Sequence, residues 1–185
     1  MGKVVLVTGV AGDLWRRFAL QLAESPDVDR VIGIDLSPPH GDHSAINFIR
    51  IDIRNPVIAK VIARERVDTV VHTTVVSSDA ARVGRAALKE LNVIGSMQLL
   101  AACQQAPHLR RLVMKSSGAF YGASPRDPAM FTEDMTAKSR IGSGYAKDIV
   151  EVESYLRGFA RRRPDVEVTT LRFSNAVGPS INSAL

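Results

Sequence analysis

The sequence predicts a doubly wound α/β fold built on one parallel sheet, and three observations predict it. Short runs rich in β-branched residues alternate with longer stretches of helical periodicity along the whole chain. Most of the strand runs are continuously apolar, as strands covered on both faces are. Neither an internal repeat nor a linker rich in Gly, Pro or Ser divides the 185 residues, so residues 1–185 read as one domain. Strands alternating with helices imply right-handed crossovers and parallel pairing.

The predicted strands are Lys3 to Thr8, Arg30 to Asp35, Ile46 to Ile51, Thr69 to His72, Arg111 to Ser116 and Glu167 to Arg172. The predicted helices lie between them at Asp13 to Glu24, Val57 to Arg64, Ala80 to Gln105 and Ile141 to Arg162. Asp13 suits the positive end of the first helix, and the triplet Arg161 to Arg163 suits the negative end of the last. The stretch from Gly118 to Gly144, with Pro125 and Pro128, reads as a loop long enough to carry function.

Composition excludes several classes. With 23% charged and 45% hydrophobic residues the chain falls within the range of ordinary globular domains. A chain of this length buries roughly 70% of its unfolded surface, enough for one core. Cys103 is the only cysteine, which excludes a disulfide scaffold. No apolar run approaches the roughly 20 residues of a membrane span, so no membrane partner is expected. The opening residues lack a signal peptide's length, and Leu6 stands where a myristoylation site needs Ser or Thr, so a cytoplasmic protein is expected. The net charge of +5 is scattered in short pairs without interleaved aromatics, so no nucleic-acid partner is expected.

The first strand runs into Thr8-Gly9-Val10-Ala11-Gly12-Asp13-Leu14-Trp15 and then a helix. Gly9 and Gly12 at such a turn let the backbone approach a pyrophosphate that the helix N-terminus attracts; the plainer reading is a simple strand-to-helix turn. Asp35 closes the second strand 26 residues after Gly9, where a carboxylate accepts from adenine-ribose hydroxyls and repels a 2′-phosphate. That favours NAD over NADP.

Taken with further motifs, the chain resembles the extended short-chain dehydrogenase/reductases, and among them the NAD-dependent nucleotide-sugar epimerases and dehydratases. Gly9 and Gly12 match the first two glycines of TGxxGxxG, and Asp52-Ile53 looks like the pair that recognises adenine. Asn92 matches the asparagine of the fourth helix that supports the cofactor-binding active site. Ser116-Ser117-Gly118-Ala119-Phe120-Tyr121-Gly122 is similar to SSxxVYG, which assigns Ser117 as the serine that polarises the substrate oxygen. Tyr145 falls where the catalytic tyrosine begins YxxxK, with Glu153 at the usual following acid. Leu171 to Pro179 looks like LRxxNxxGP, in which Asn175 would touch substrate. The resemblance implies a Rossmann domain, NAD as cofactor, no metal, and a nucleotide sugar or similar alcohol as small-molecule substrate. A homodimer is left open. In such enzymes the tyrosine exchanges a proton with a substrate hydroxyl while hydride moves to or from the nicotinamide.

The chain departs from this pattern at four places. The lysine of YxxxK is Ile149, and Lys147 lies about 200° round the helix from Tyr145. An unassisted tyrosine ionises near pH 10, so losing the lysine costs about three pKa units, or roughly 4 kcal/mol, of base activation. The third glycine is Trp15, so either the first helix is displaced or the indole swings over the cofactor site. Asp13 sits in the first helical turn, where it either competes with a pyrophosphate or simply starts the helix. Finally, about a dozen residues follow the sixth strand, too few for the substrate-binding part, so the chain reads as the N-terminal portion of a longer protein. Two functions remain: an epimerase/dehydratase-type oxidoreductase, or a catalytically degenerate cofactor sensor or interaction scaffold. Cys103 is expected in the core, His72 without metal partners, and His40 and His43 in a surface turn around Asp42.

Overall fold

Strand β1 (Lys3–Thr8) is the spine of the molecule, with Val5, Leu6 and Val7 almost fully buried. Its apolar side chains point alternately to two layers of helix, which is why the run need not alternate with polar residues. In the computed structural model, residues 2–77, 84–122, 124, 125, 127–136 and 143–174 are described.

Six strands make one sheet in the order β3-β2-β1-β4-β5-β6, every neighbouring pair parallel. The others are β2 (Val28–Asp35), β3 (Asn47–Arg50), β4 (Thr69–His72), β5 (Arg111–Ser117) and β6 (Glu167–Phe173). The order reverses between β1 and β4, so the carboxyl edge of those strands forms the crevice where α/β proteins take ligands. The predicted fold and all six strands are present, β1 and β4 with the predicted ends and the others with ends shifted by at most two residues.

One face carries α1 (Asp13–Ala23), packed on Val5, Val7 and Val31. The other carries α2 (Ile58–Arg64), α4 (Gly95–Gln104) and α5 (Gly144–Arg162), packed on Leu6, Ile32, Leu112 and Met114. The helix expected over Ala80 to Gln105 lies partly outside the described residues. Within them it is three pieces: α3 (Arg85–Lys89), a π turn (Glu90–Ile94) and α4. Helix α5 begins at Gly144, where the Ser143 hydroxyl caps the Ala146 N–H at 3.0 Å. The loop after β5 opens with a 3₁₀ turn, Gly118–Tyr121.

Strand β6 is not covered on both faces: Leu171 and Phe173 are 41% and 46% exposed, because among the described residues α1 covers only the β1–β2 half of its face. The last arginine of the triplet is held against the protein. Arg163 donates to the carbonyls of Cys103, Gln104 and Ala106 at 3.0–3.2 Å, satisfying the open C-terminal end of α4. Cys103 is buried as expected, and burial pushes its thiol up to about 12. Among the described residues no helix is long and apolar enough to cross a membrane.

Candidate active site

The turn after β1 is tight because Gly9 takes φ +75°, a conformation that favours glycine. A Cβ there would lie 2.6 Å from the Thr73 hydroxyl, so only glycine lets the turn pass this close to the end of β4. Gly12 precedes α1 as its N-cap and supplies no side-chain cap to the orphan N–H groups of the first turn. Asp35 braces this turn: its carboxylate accepts from the Ala11 N–H at 3.0 Å and the Leu36 N–H at 2.7 Å. A carboxylate has about four lone-pair sites, so acceptor capacity remains for a ribose. The turn therefore fits a dinucleotide: a helix N-terminus without a side-chain cap, a glycine turn at positive φ, and a carboxylate one strand away.

Asp52 lies past β3 and is forked by Arg54 at 2.6–3.0 Å, which holds its carboxyl below the usual range. Ile53 beside it is buried, and α4 approaches it so closely that a Cβ on Gly95 would lie 2.6 Å from the Ile53 side chain. Asp13 is held by Arg16 and Arg17 at 2.7 and 2.9 Å, which draws its charge to the solvent side of α1 and lowers its carboxyl pKa.

Of the two alternatives for Trp15, a displaced first helix is not what the structure shows. Helix α1 keeps its packing on the sheet through buried Ala19, and the indole Cδ1 lies 3.6 Å from where a Cβ on Gly12 would sit. Edge contacts to Phe18 and Phe173, with centroids 6.1 and 6.2 Å apart, hold it. The indole thus walls a pocket of about 440 Å³ at the α1, β4, β5 and β6 edges, together with Thr73, Lys115 and Phe173.

Ser117 ends β5, and Tyr145 stands in the first turn of α5, so strand end and helix start bring the two hydroxyls together. Ser117 acts on the Tyr145 hydroxyl as a hydrogen-bonding neighbour, which lowers its pKa. Burial outweighs that effect and the nearby Asp148 charge adds to burial, so the Tyr145 phenol is pushed above its ordinary value. The position expected to hold a lysine, Ile149, is buried in the core against α5's neighbours, and Lys147 faces solvent.

Sequence reasoning missed the groups that hold this helix start. Asp148, buried one turn beyond Tyr145, accepts from Arg85 at 2.6 and 2.9 Å and from the Asn92 amide at 3.2 Å. Arg85 also donates to the Gly144 carbonyl at 2.9 Å. Asn92 sits in the π turn, a distortion common at functional sites, and clasps the Val76 N–H and carbonyl at 3.0 and 2.9 Å. Being fully buried, it shapes the loop after β4. A second chain of hydrogen bonds runs beneath. The Thr8 hydroxyl meets His72 Nδ1 at 3.0 Å, His72 Nε2 meets the Ser96 hydroxyl at 2.8 Å, and Ser96 donates to the Asn92 carbonyl. Burial, then the charge of Lys115, pushes His72 down to about 3, so the ring is neutral. Glu153 accepts from Ser116 at 2.5 Å and is forked by Arg172, whose guanidinium lies 3.8 Å from the Phe120 ring centroid. Asn175 lies outside the described residues.

The sequence profile of the NAD dependent epimerase/dehydratase family matches residues 5–184. The chain belongs to that family. It is 48% identical to an uncharacterized protein of Mycobacterium tuberculosis, over 99% of this chain and 50% of that protein. It is 30% identical to UDP-glucose 4-epimerase 2 of Oryza sativa subsp. japonica, over 95% of this chain and 45% of that protein. The solved structure of MoeE5 in complex with UDP-glucuronic acid and NAD superposes with a TM-score of 0.80 at 27% identity, covering 98% of this chain and 57% of that one. The chain spans about half the length of the curated relatives it matches. Of the residues that sequence reasoning missed at this edge, Lys115 left a signal: a charge directly after the apolar run Leu112-Val113-Met114. Arg85 and Asp148 left none, because their pairing spans 63 residues.

Proposed function

We propose that this chain is the NAD-binding part of an oxidoreductase that oxidises and re-reduces a hydroxyl-bearing carbon of a nucleotide sugar. The observation that carries the reading is the pairing of the Ser117 and Tyr145 hydroxyls at the same carboxyl edge as the Gly9 turn and Asp35. NAD when bound supplies the hydride acceptor and donor. Gly9, Gly12 and the first turn of α1 approach its diphosphate, Asp35 accepts from the adenine ribose, and Asp52 with Ile53 borders the adenine. Ser117 donates to the substrate oxygen. Tyr145 carries the proton at Oη, giving it to a substrate oxygen in the reductive direction and taking it back in the other. Its raised pKa makes the giving direction the easier one at neutral pH. Asn175 would border the substrate. The nucleotide-sugar class is supported by the rice relative's name and the ligand of MoeE5.

Calorimetric titration with NAD, and with NADP as control, tests the cofactor half of this reading. NAD binding in preference to NADP is expected; equal binding of both, or of neither by folded protein, overturns it. Addition of UDP-glucose to the NAD complex tests the substrate half through a second binding event.

A further inference from the structure

The helix position that carries a lysine in YxxxK is Ile149, sealed in the core, yet the edge of the sheet is not without an ammonium. Lys115 lies on β5 two residues before Ser117, so their side chains leave the same face of the strand. Its Nζ donates to the Val75 carbonyl at 2.5 Å, just past the end of β4. Lys115 and Thr73 line the same pocket, and Thr73 is the residue against which Gly9 turns.

Strand order fixes what lies above this ammonium. On the dinucleotide reading, the adenine end belongs over β2 and β3, where Asp35 and Asp52 stand, and the diphosphate over the Gly9 turn of β1. The reacting end belongs over β5, beside Ser117 and Tyr145. The Val75 carbonyl that anchors Lys115 lies between β1 and β5, at the end of β4, where the ribose of the reacting end must cross. An ammonium has three donors, and among the described residues Lys115 uses one, on Val75. We propose that Lys115 is a cofactor-contacting residue that donates from β5 to the hydroxyls of the nicotinamide-side ribose, a cation brought from the strand where the helix position offers none. Burial lowers its pKa, and among the described residues no carboxylate pairs with it to offset the cost, as fits a group kept for a ligand.

This inference rests on the NAD reading, and comparison of two ligands separates the two. ADP carries the adenine and diphosphate and lacks the second ribose. In calorimetric titrations of the protein and of Lys115→Met, NAD is expected to bind the variant about tenfold or more weakly, the loss of a charged hydrogen bond. ADP is expected to bind both alike, which also shows that the variant is folded around an intact adenine half. Equal NAD affinity in the two proteins overturns the assignment, and so does an ADP loss as large as the NAD loss, which would put the ammonium on the diphosphate or in a structural role. Unmodified protein that binds neither ligand overturns the NAD reading and this one with it.

Discussion

Arg85 closes a fork on the buried carboxylate of Asp148 at 2.6 and 2.9 Å, and with the same guanidinium holds the carbonyl of Gly144, the residue before Tyr145. The phenol is thus aimed by an ion pair between α3 and α5. Removing one partner of a buried pair strands the other. Arg85 is 45% exposed on its side chain, which screens part of the interaction. Arg85→Met is expected to lower stability by about 2 kcal/mol, less than a fully buried pair would lose. A shift of the urea midpoint at unchanged slope checks this.

Asp148 also raises the Tyr145 pKa through its charge, after the larger effect of burial. Asp148→Asn is expected to move the tyrosinate transition of Tyr145 toward lower pH, read by ultraviolet absorbance against Tyr145→Phe. In the native protein the Tyr145 contribution to stability is full below the unfolded phenol's pKa near 10, and is lost as pH rises through the higher folded value. The stability gap between the protein and Tyr145→Phe is therefore expected to shrink above pH 10 and to stay flat below it.

The strands were legible because a doubly covered parallel sheet writes continuous apolar runs, and Lys3–Thr8 and Thr69–His72 match to the residue. The hydroxyl pair Ser117 and Tyr145 was legible through local motifs at a strand end and a helix start. What stayed hidden is long-range. The break of the third helix at Asn92 follows from its grip on Val76, and the Arg85–Asp148 pair joins segments 63 residues apart. The place of Trp15 was open to two alternatives, because a glycine position says only what must be small and nothing in the local sequence places Phe173 beside the indole.

His72 gives the chain an acid limit. Its folded pKa is depressed to about 3 from 6.5, burial being the larger cause and Lys115 the second. An unfolded histidine takes up a proton that the folded one refuses, so the stabilisation is full above about pH 6.5 and is lost as pH falls toward 3. That loss is at most about 5 kcal/mol. His72→Gln is expected to be less stable at neutral pH, since the hydrogen bonds to Thr8 and Ser96 are disturbed, yet to show a flatter decline between pH 6.5 and 4. Denaturant midpoints measured across that range check it.

Restoring the lysine at position 149 is not expected to restore a site. Ile149 is 1% exposed inside the larger core cluster, so Ile149→Lys would bury an ammonium there without a partner. The cost is expected to be about 3 kcal/mol or more, enough to lower the melting temperature by many degrees. A variant that kept its stability and ionised Tyr145 at lower pH would show instead that the lysine reaches the crevice.

Trp15 is the only tryptophan in the chain and borders the crevice, so its emission reports the site directly. With the indole held in place by edge contacts to Phe18 and Phe173, Trp15→Gly is not expected to tighten NAD binding. It is expected to lose stability, about 1 kcal/mol from glycine in a helix, plus the buried part of the indole. NAD is expected to change the emission of the native protein and of Phe173→Leu alike if it enters above β4 and β5. A change abolished by Phe173→Leu would mean that the indole senses β6 alone. A Trp15→Gly variant that bound NAD tenfold tighter would put the indole in the cofactor's path after all.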